Sequence, residues 1–276
     1  MLREIDGVRI NVLDEGTGPA VLFLHGLGGC WRDWEPQLDR LSDRFRCVVV
    51  EHRGHGRSQR VPGPYSTDGF AADALAVARD LGIDHAYVVG LSMGGMIAQK
   101  LALAAPDFVD ALVLCDTSTH TGRRGGEMLL AAAGAVRAGG FGSLAEYMTP
   151  ETTGWAARTL AERPLVARNN ERESGSNDPD CWAWAVEALV DHDTRDEIDK
   201  IEAPALLVWG AEDNGVPVAF GEALAARLGG APLVVLDDAG HVCNLERPDE
   251  FNDEITRFFA AHPPGRVGGA GAPSPH

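Results

Sequence analysis

The segment Val88–Gln99 reads VVGLSMGGMIAQ and holds a single serine, Ser92, inside the pattern G-x-S-x-G. A serine hydroxyl is a poor nucleophile until a neighbouring base takes its proton. The segment starts as an apolar run and continues into helix-forming residues, so Ser92 falls at a strand–turn–helix junction. Such a turn strains the serine backbone and projects Oγ outward, and positions two residues away must lack bulk. Gly90 and Gly94 meet that need, and Gly95 lets the helix approach the sheet. The alternative is a glycine-rich turn used only for packing. The choice depends on whether the chain also supplies a base, an acid and oxyanion donors.

A base placed late in the chain suits the order Ser…Asp…His. Of the nine histidines, His241 fits best, in LDDAGHVCNLERP. It follows the last strand-like run and precedes the last helix. An imidazole there can accept the Ser92 proton and return it to a leaving group near neutral pH. The acid should follow a strand between the two. WGAEDNGVP places Asp213 just past such a run, with Asn214-Gly215 forming the turn. Asp213 would orient His241 and stabilise its charged form. Asp116 in VLCDTS, at the end of the strand after Ser92, is the rival. The stretch LFLHGLGGCWRDW follows another strand with small residues. Backbone N–H groups of Leu27 and of Met93, the residue after the nucleophile, are therefore the expected oxyanion donors. His25 reads as a residue that holds this loop. EHRGHGRS, Glu51–Ser58, reads as a turn fixed by polar side chains. No zinc, Walker or dinucleotide pattern is present, so neither a metal nor a cofactor is expected.

These residues need a scaffold. Leu2–Ile5 and Val8–Leu13 flank an Asp6-Gly7 turn and read as a hairpin. Short apolar runs at Ala20–Leu24, Cys47–Val50, Ala86–Gly90, Leu112–Cys115, Ala205–Trp209 and Leu233–Leu236 suit strands buried on both faces. Helical patterns at Thr67–Leu81, Met93–Ala104, Val218–Leu228 and Pro248–Ala260 alternate with them. An α/β sheet with helices on both sides follows. Between residues 119 and 196 the strand runs stop. Helices are expected instead at Gly126–Ala138, Ser143–Tyr147, Gly154–Val166 and Pro179–Val190. The expected division is a core of 1–118 and 197–262, a helical cap of 119–196 over the strand ends, and a disordered Pro/Gly-rich tail of 263–276. Gly28, Trp31, Met128, Trp155 and Trp184 are candidate pocket residues, and Trp182 is a further one.

The chain has 276 residues and a formal net charge of -17, which argues against nucleic acid as a partner. No apolar run is long enough to span a bilayer, and the N-terminus lacks a signal-peptide pattern. Five scattered cysteines suggest no disulfide framework. The expected setting is the cytoplasm, and the expected partner a small molecule.

Taken in order, HGLGG, EHRGHGRS, GLSMGG, GAEDNGVP and AGHVCNLERP resemble the motifs of the α/β-hydrolase superfamily from Arg3 to Ala261. The resemblance implies an eight-stranded, mostly parallel sheet with an inserted helical cap, and triad roles for Ser92, Asp213 and His241. Within the superfamily the chain looks most like 3-oxoadipate enol-lactonases, through GPYS, LVLCDTS, AVRAGG, the Ala183–Pro204 run and LERP. The first cap helix departs from them: GRRGGEMLLAAAGAV stands where they tend to carry a tryptophan and an arginine. The expected activity is cofactor-free hydrolysis of a small ester or lactone through an acyl-enzyme. Alternatives are C–C bond hydrolysis, perhydrolysis, a cyclisation or lyase step, and a non-catalytic receptor.

Overall fold

The computed structural model describes residues 1–146 and 154–265. Eight strands form one sheet: β1 (Leu2–Ile5), β2 (Val8–Glu15), β3 (Ala20–Leu24), β4 (Arg46–Val50), β5 (Ala86–Leu91), β6 (Val109–Cys115), β7 (Ala205–Gly210) and β8 (Leu233–Leu236). Their spatial order is β1-β2-β4-β3-β5-β6-β7-β8. The first two strands run antiparallel to their neighbours, and all other pairs are parallel. The apolar runs are continuous because both faces are covered. Along β5, Val88 packs into one core while Tyr87, Val89 and Leu91 pack into the other.

The helices are α1 (Glu35–Leu41), α2 (Thr67–Asp80), α3 (Met93–Ala104), α4 (Arg123–Gly139), α5 (Ala157–Glu162), α6 (Pro164–Ser174), α7 (Pro179–Val190), α8 (Val218–Arg227), α9 (Cys243–Glu246) and α10 (Pro248–Ala261). Phe70 and Val77 of α2, Ile97 and Leu101 of α3 and Leu224 of α8 cover one face of the sheet. Trp34 with Leu38 and Leu41 of α1, and Phe251, Ile255 and Phe259 of α10, cover the other. Chain order reverses at β3, which lies between β4 and β5. The loops after β3 and β5 therefore leave on opposite sides of a crevice, where open α/β sheets bind ligands.

Between β6 and β7 the described residues contain helices and one isolated bridge, His120 to Asp193. Ala132, Ala133 and Val136 of α4 pack on Trp182, Ala183 and Val186 of α7 in a small core of their own. Two expectations need correction here. Gly154–Val166 is not one helix: Pro164 cannot continue the hydrogen-bond ladder, so α5 ends and α6 begins at Arg163. The expected Ser143–Tyr147 helix is a 3₁₀ segment over Phe141–Glu146, and Tyr147 lies outside the described residues. Of the expected tail, 266–276 lies outside them too. Gly265 N–H donates to Asp110 Oδ1. Among the described residues no helix is long and apolar enough to cross a membrane.

Candidate active site

Ser92 lies between β5 and α3 and caps α3, with φ 54° and ψ −118°, outside the comfortable backbone regions for a residue with a side chain. Its N–H donates to the Cys115 carbonyl (2.8 Å), and its carbonyl accepts from Thr117 Oγ1 (2.7 Å). These bonds from the neighbouring strand end hold the strained turn. The glycines around it are required by close approach. A Cβ on Gly94 would overlap the Leu24 carbonyl, and one on Gly95 would sit 2.6 Å from Thr117 Cβ.

His241 Nε2 stands 2.9 Å from Ser92 Oγ, and His241 Nδ1 stands 2.7 Å from Asp213 Oδ2. The other oxygen of Asp213 accepts the N–H groups of Gly215 and Val216, both at 2.9 Å. The Asn214-Gly215 turn thus fixes the carboxylate. Asp116 is buried beside this pair, but its Oδ1 accepts the Gly210 N–H (2.9 Å) and its Oδ2 has no partner. Burial, then the nearby Asp213 charge, holds the Asp116 carboxyl well above the ordinary carboxylate range. Of the two candidate acids, Asp213 is the one that bonds to the imidazole. Burial lowers the proton affinity of His241, but the charge and hydrogen bond of Asp213 outweigh it. The ring ends above the ordinary imidazole value.

The loop after β3 passes close to Ser92: a Cβ on Gly26 would lie 3.4 Å from Ser92 Cβ. The N–H groups of Leu27 and Met93 bond to no described acceptor outside their own elements. The loop rests on three buried imidazoles. His25 Nδ1 bonds the Gly26 carbonyl, and its Nε2 accepts the His52 N–H. The His25 ring lies 4.2 Å from that of His52 and 5.3 Å from that of His55. Burial lowers His25 to about 4 and His55 to about 3, and pushes His52 well below the ordinary value. All three are neutral at pH 7. The EHRGHGRS turn is thus the floor of the loop.

The candidate pocket residues scatter. Gly28 lies in the loop, with Ser174 Oγ and Trp182 Nε1 against it; a Cβ there would be 3.1 Å from Trp182 Nε1. Trp182, not Trp184, is therefore the α7 tryptophan facing the loop. Trp184 covers Gly63 and meets Tyr65 edge-on. Met128 is 48% exposed on α4, because that helix buries Ala132, Ala133 and Val136 instead. Trp31 is half-buried under Arg32, and Trp155 is buried in the core shared with Val242 and Leu245. Two surface clefts near His120 include neither Ser92 nor His241.

Two residues matter beyond those expected. Gly154, at φ 70°, accepts the His241 N–H through its carbonyl (2.5 Å). Glu246, buried in α9, accepts the Gly240 N–H (2.8 Å) and the Ala156 N–H (2.9 Å). The His241 loop is therefore clamped to the segment Gly154–Ala156. No local pattern in the sequence singles out Gly154 or Glu246.

A family model for the alpha/beta hydrolase fold matches residues 19–248. The chain belongs to the α/β-hydrolase family. The 3-oxoadipate enol-lactonase 2 of Acinetobacter baylyi is 29% identical over 86% of this chain and 87% of its own. The enol-lactonase of Burkholderia xenovorans LB400 superposes with a TM-score of 0.88 at 30% identity, covering 94% of this chain and 100% of its own. A thermophilic esterase from Thermogutta terrifontis gives 0.87 at 30% identity, over 93% of this α/β hydrolase and 95% of its own chain. The resemblance to enol-lactonases is thus shared by sequence and fold, and the activity class is that of a hydrolase.

Proposed function

We propose that this hydrolase cleaves small carboxylic esters or lactones through an acyl-enzyme on Ser92. The observation that carries the reading is the continuous hydrogen-bonded chain from Ser92 Oγ through the His241 ring to Asp213. Ser92 Oγ attacks the carbonyl carbon as His241 Nε2 takes its proton. The carbonyl oxygen becomes an oxyanion, which the Leu27 and Met93 N–H groups receive. Each such donor is worth roughly 10²–10³ in rate. Collapse breaks the ester C–O bond, and the imidazolium returns its proton to the leaving oxygen. Water, deprotonated by the same ring, then releases the acid and restores Ser92. Asp213 keeps Nδ1 protonated and supports the imidazolium. Residues 119–196 act as a cap on the core of 1–118 and 197–262. The five cysteines are free and buried, which supports a cytoplasmic setting.

The test is a fluorophosphonate probe read by intact mass. One adduct is expected on the native chain and none on Ser92→Ala. A native chain that resists the probe would refute the acyl-enzyme.

A further inference from the structure

The proposed site is bracketed by buried carboxyl groups. Behind the loop that carries Leu27, Asp33 accepts the Cys30 N–H (3.2 Å) and the Asn170 side-chain amide (2.9 Å). Glu51 accepts the Trp31 N–H (3.2 Å), the Arg57 N–H (2.6 Å) and the Asn11 amide (3.0 Å). On the other side stand Asp213, Asp116 and Glu246; burial favours the neutral form of Asp116 and Glu246, and of Asp33 behind the loop. Among the described residues, none of these five forms an ion pair with arginine or lysine.

Beside the loop, Arg32 lies over Trp31 and is held by Glu35 and Glu173. The cap segment 119–196 contains eight arginines and no lysine. Arg124 and Arg168 are exposed, and the Arg123 side chain is 92% exposed. Arg137 is held by Glu187 and Asp180, Arg158 by Glu162 and Asp238, and Arg172 lies against Glu173. Arg163 donates to the carbonyls of Leu245 and Glu246, and Arg195 is held by Asp193. The stretch 147–153 adds Glu151 and no basic residue. What faces the loop at Gly28 is a hydroxyl and an indole N–H, from Ser174 and Trp182. Both can bond a neutral oxygen, but neither brings the charge that would offset the desolvation of a carboxylate.

Resting on the acyl-enzyme reading, we propose that the site takes an uncharged acyl group, as a neutral ester or lactone, and discriminates against acyl groups that carry a carboxylate. An anionic substituent would lose its water among buried carboxyl groups and gain no free cation. A neutral one would meet two hydrogen-bond donors at Gly28.

The test is a matched pair: p-nitrophenyl methyl glutarate and p-nitrophenyl hydrogen glutarate, which share leaving group and chain and differ by one charge. The neutral member is expected to have the higher kcat/KM by about tenfold or more, the scale of one uncompensated charge at an effective dielectric near 20. Ser174→Arg sets a cation over Gly28 and is expected to narrow the ratio at least about threefold; Ser174→Gln, bulky but neutral, should not. Equal or better turnover of the carboxylate member by the native chain would overturn the proposal. So would a chain whose Ser92 takes the fluorophosphonate yet hydrolyses neither ester. Failure of both labelling and turnover would instead sink the acyl-enzyme, and the proposal with it.

Discussion

Gly154 is the most exacting contact of the proposed base. A Cβ at this position would start 2.6 Å from His241 Cβ. Carbon atoms rest at about 3.5–4.0 Å, so Gly154→Ala requires a shift of about 1 Å in one partner. The Gly154 side is restrained by the bond between Ala156 and Glu246. Its φ of 70° is also unfavourable for alanine, by about 1–2 kcal/mol. The movable partner is the His241 loop, and a catalytic group displaced by ~1 Å costs on the order of 10²-fold in rate. Gly154→Ala is therefore expected to lower kcat on p-nitrophenyl acetate by about 10²-fold, with KM little changed. Melting should fall by a few degrees from the backbone strain. Fluorophosphonate labelling should slow in parallel, because it reads the Ser92–His241 pair directly. A variant with kcat within about threefold of native and unchanged labelling would show that Gly154 does not hold the base.

Two further outcomes test the site's electrostatics. Asp213→Asn should lower kcat by about 10³–10⁴, since an amide no longer fixes the Nδ1–H tautomer. Asp116→Asn should cost less than about tenfold, because that carboxyl bonds the Gly210 N–H and not the His241 ring; the reverse ranking in steady-state assays would reassign the acid. The second outcome concerns acid. His25, His52 and His55 have depressed proton affinities in the fold, so below pH 6.5 these rings bind more protons in the unfolded chain than in the native one, whereas Asp33 and Asp116, raised by burial, do the reverse. The contribution of these rings to stability should therefore fall as pH drops from 6.5 toward 4, by up to about 1.4 kcal/mol per pH unit for each histidine. Urea unfolding of the native chain and of His55→Asn at a series of pH values isolates this contribution, and equal pH slopes in the two would refute it.

The sheet is legible in the sequence because its strands are buried on both faces, which turns each into an unbroken apolar run. Ala20–Leu24 and Leu233–Leu236 coincide with the observed strands to the residue. α1 is harder to see. It is seven residues long and has Pro36 in its first turn, so Trp34, Leu38 and Leu41 give too few repeats to show a period. Ser92, Asp213 and His241 can be ordered along the chain because each follows a strand run, and the structure brings their side chains within hydrogen-bond reach. Choosing between Asp213 and Asp116 requires three dimensions, since both end neighbouring strands and only orientation separates them. Trp182 and Trp184 are two residues apart and point into different surroundings, which an isolated helical pattern does not resolve. Gly154 and Glu246 act across 87 and 5 residues of chain to reach His241, so no local pattern announces them.

The bond from His241 to the Gly154 carbonyl has a consequence for engineering by segment exchange. A designer who swaps residues 119–196 for the equivalent stretch of a relative, hoping to transplant substrate preference alone, also replaces half of the clamp on the proposed base. A graft that omits a carbonyl at this place, or a free N–H opposite Glu246, should leave a correctly folded sheet with an intact serine and a drifting imidazole. The unit that can be exchanged without that loss is smaller than the helical insertion: the helices on either side, with Gly154–Ala156 left in place.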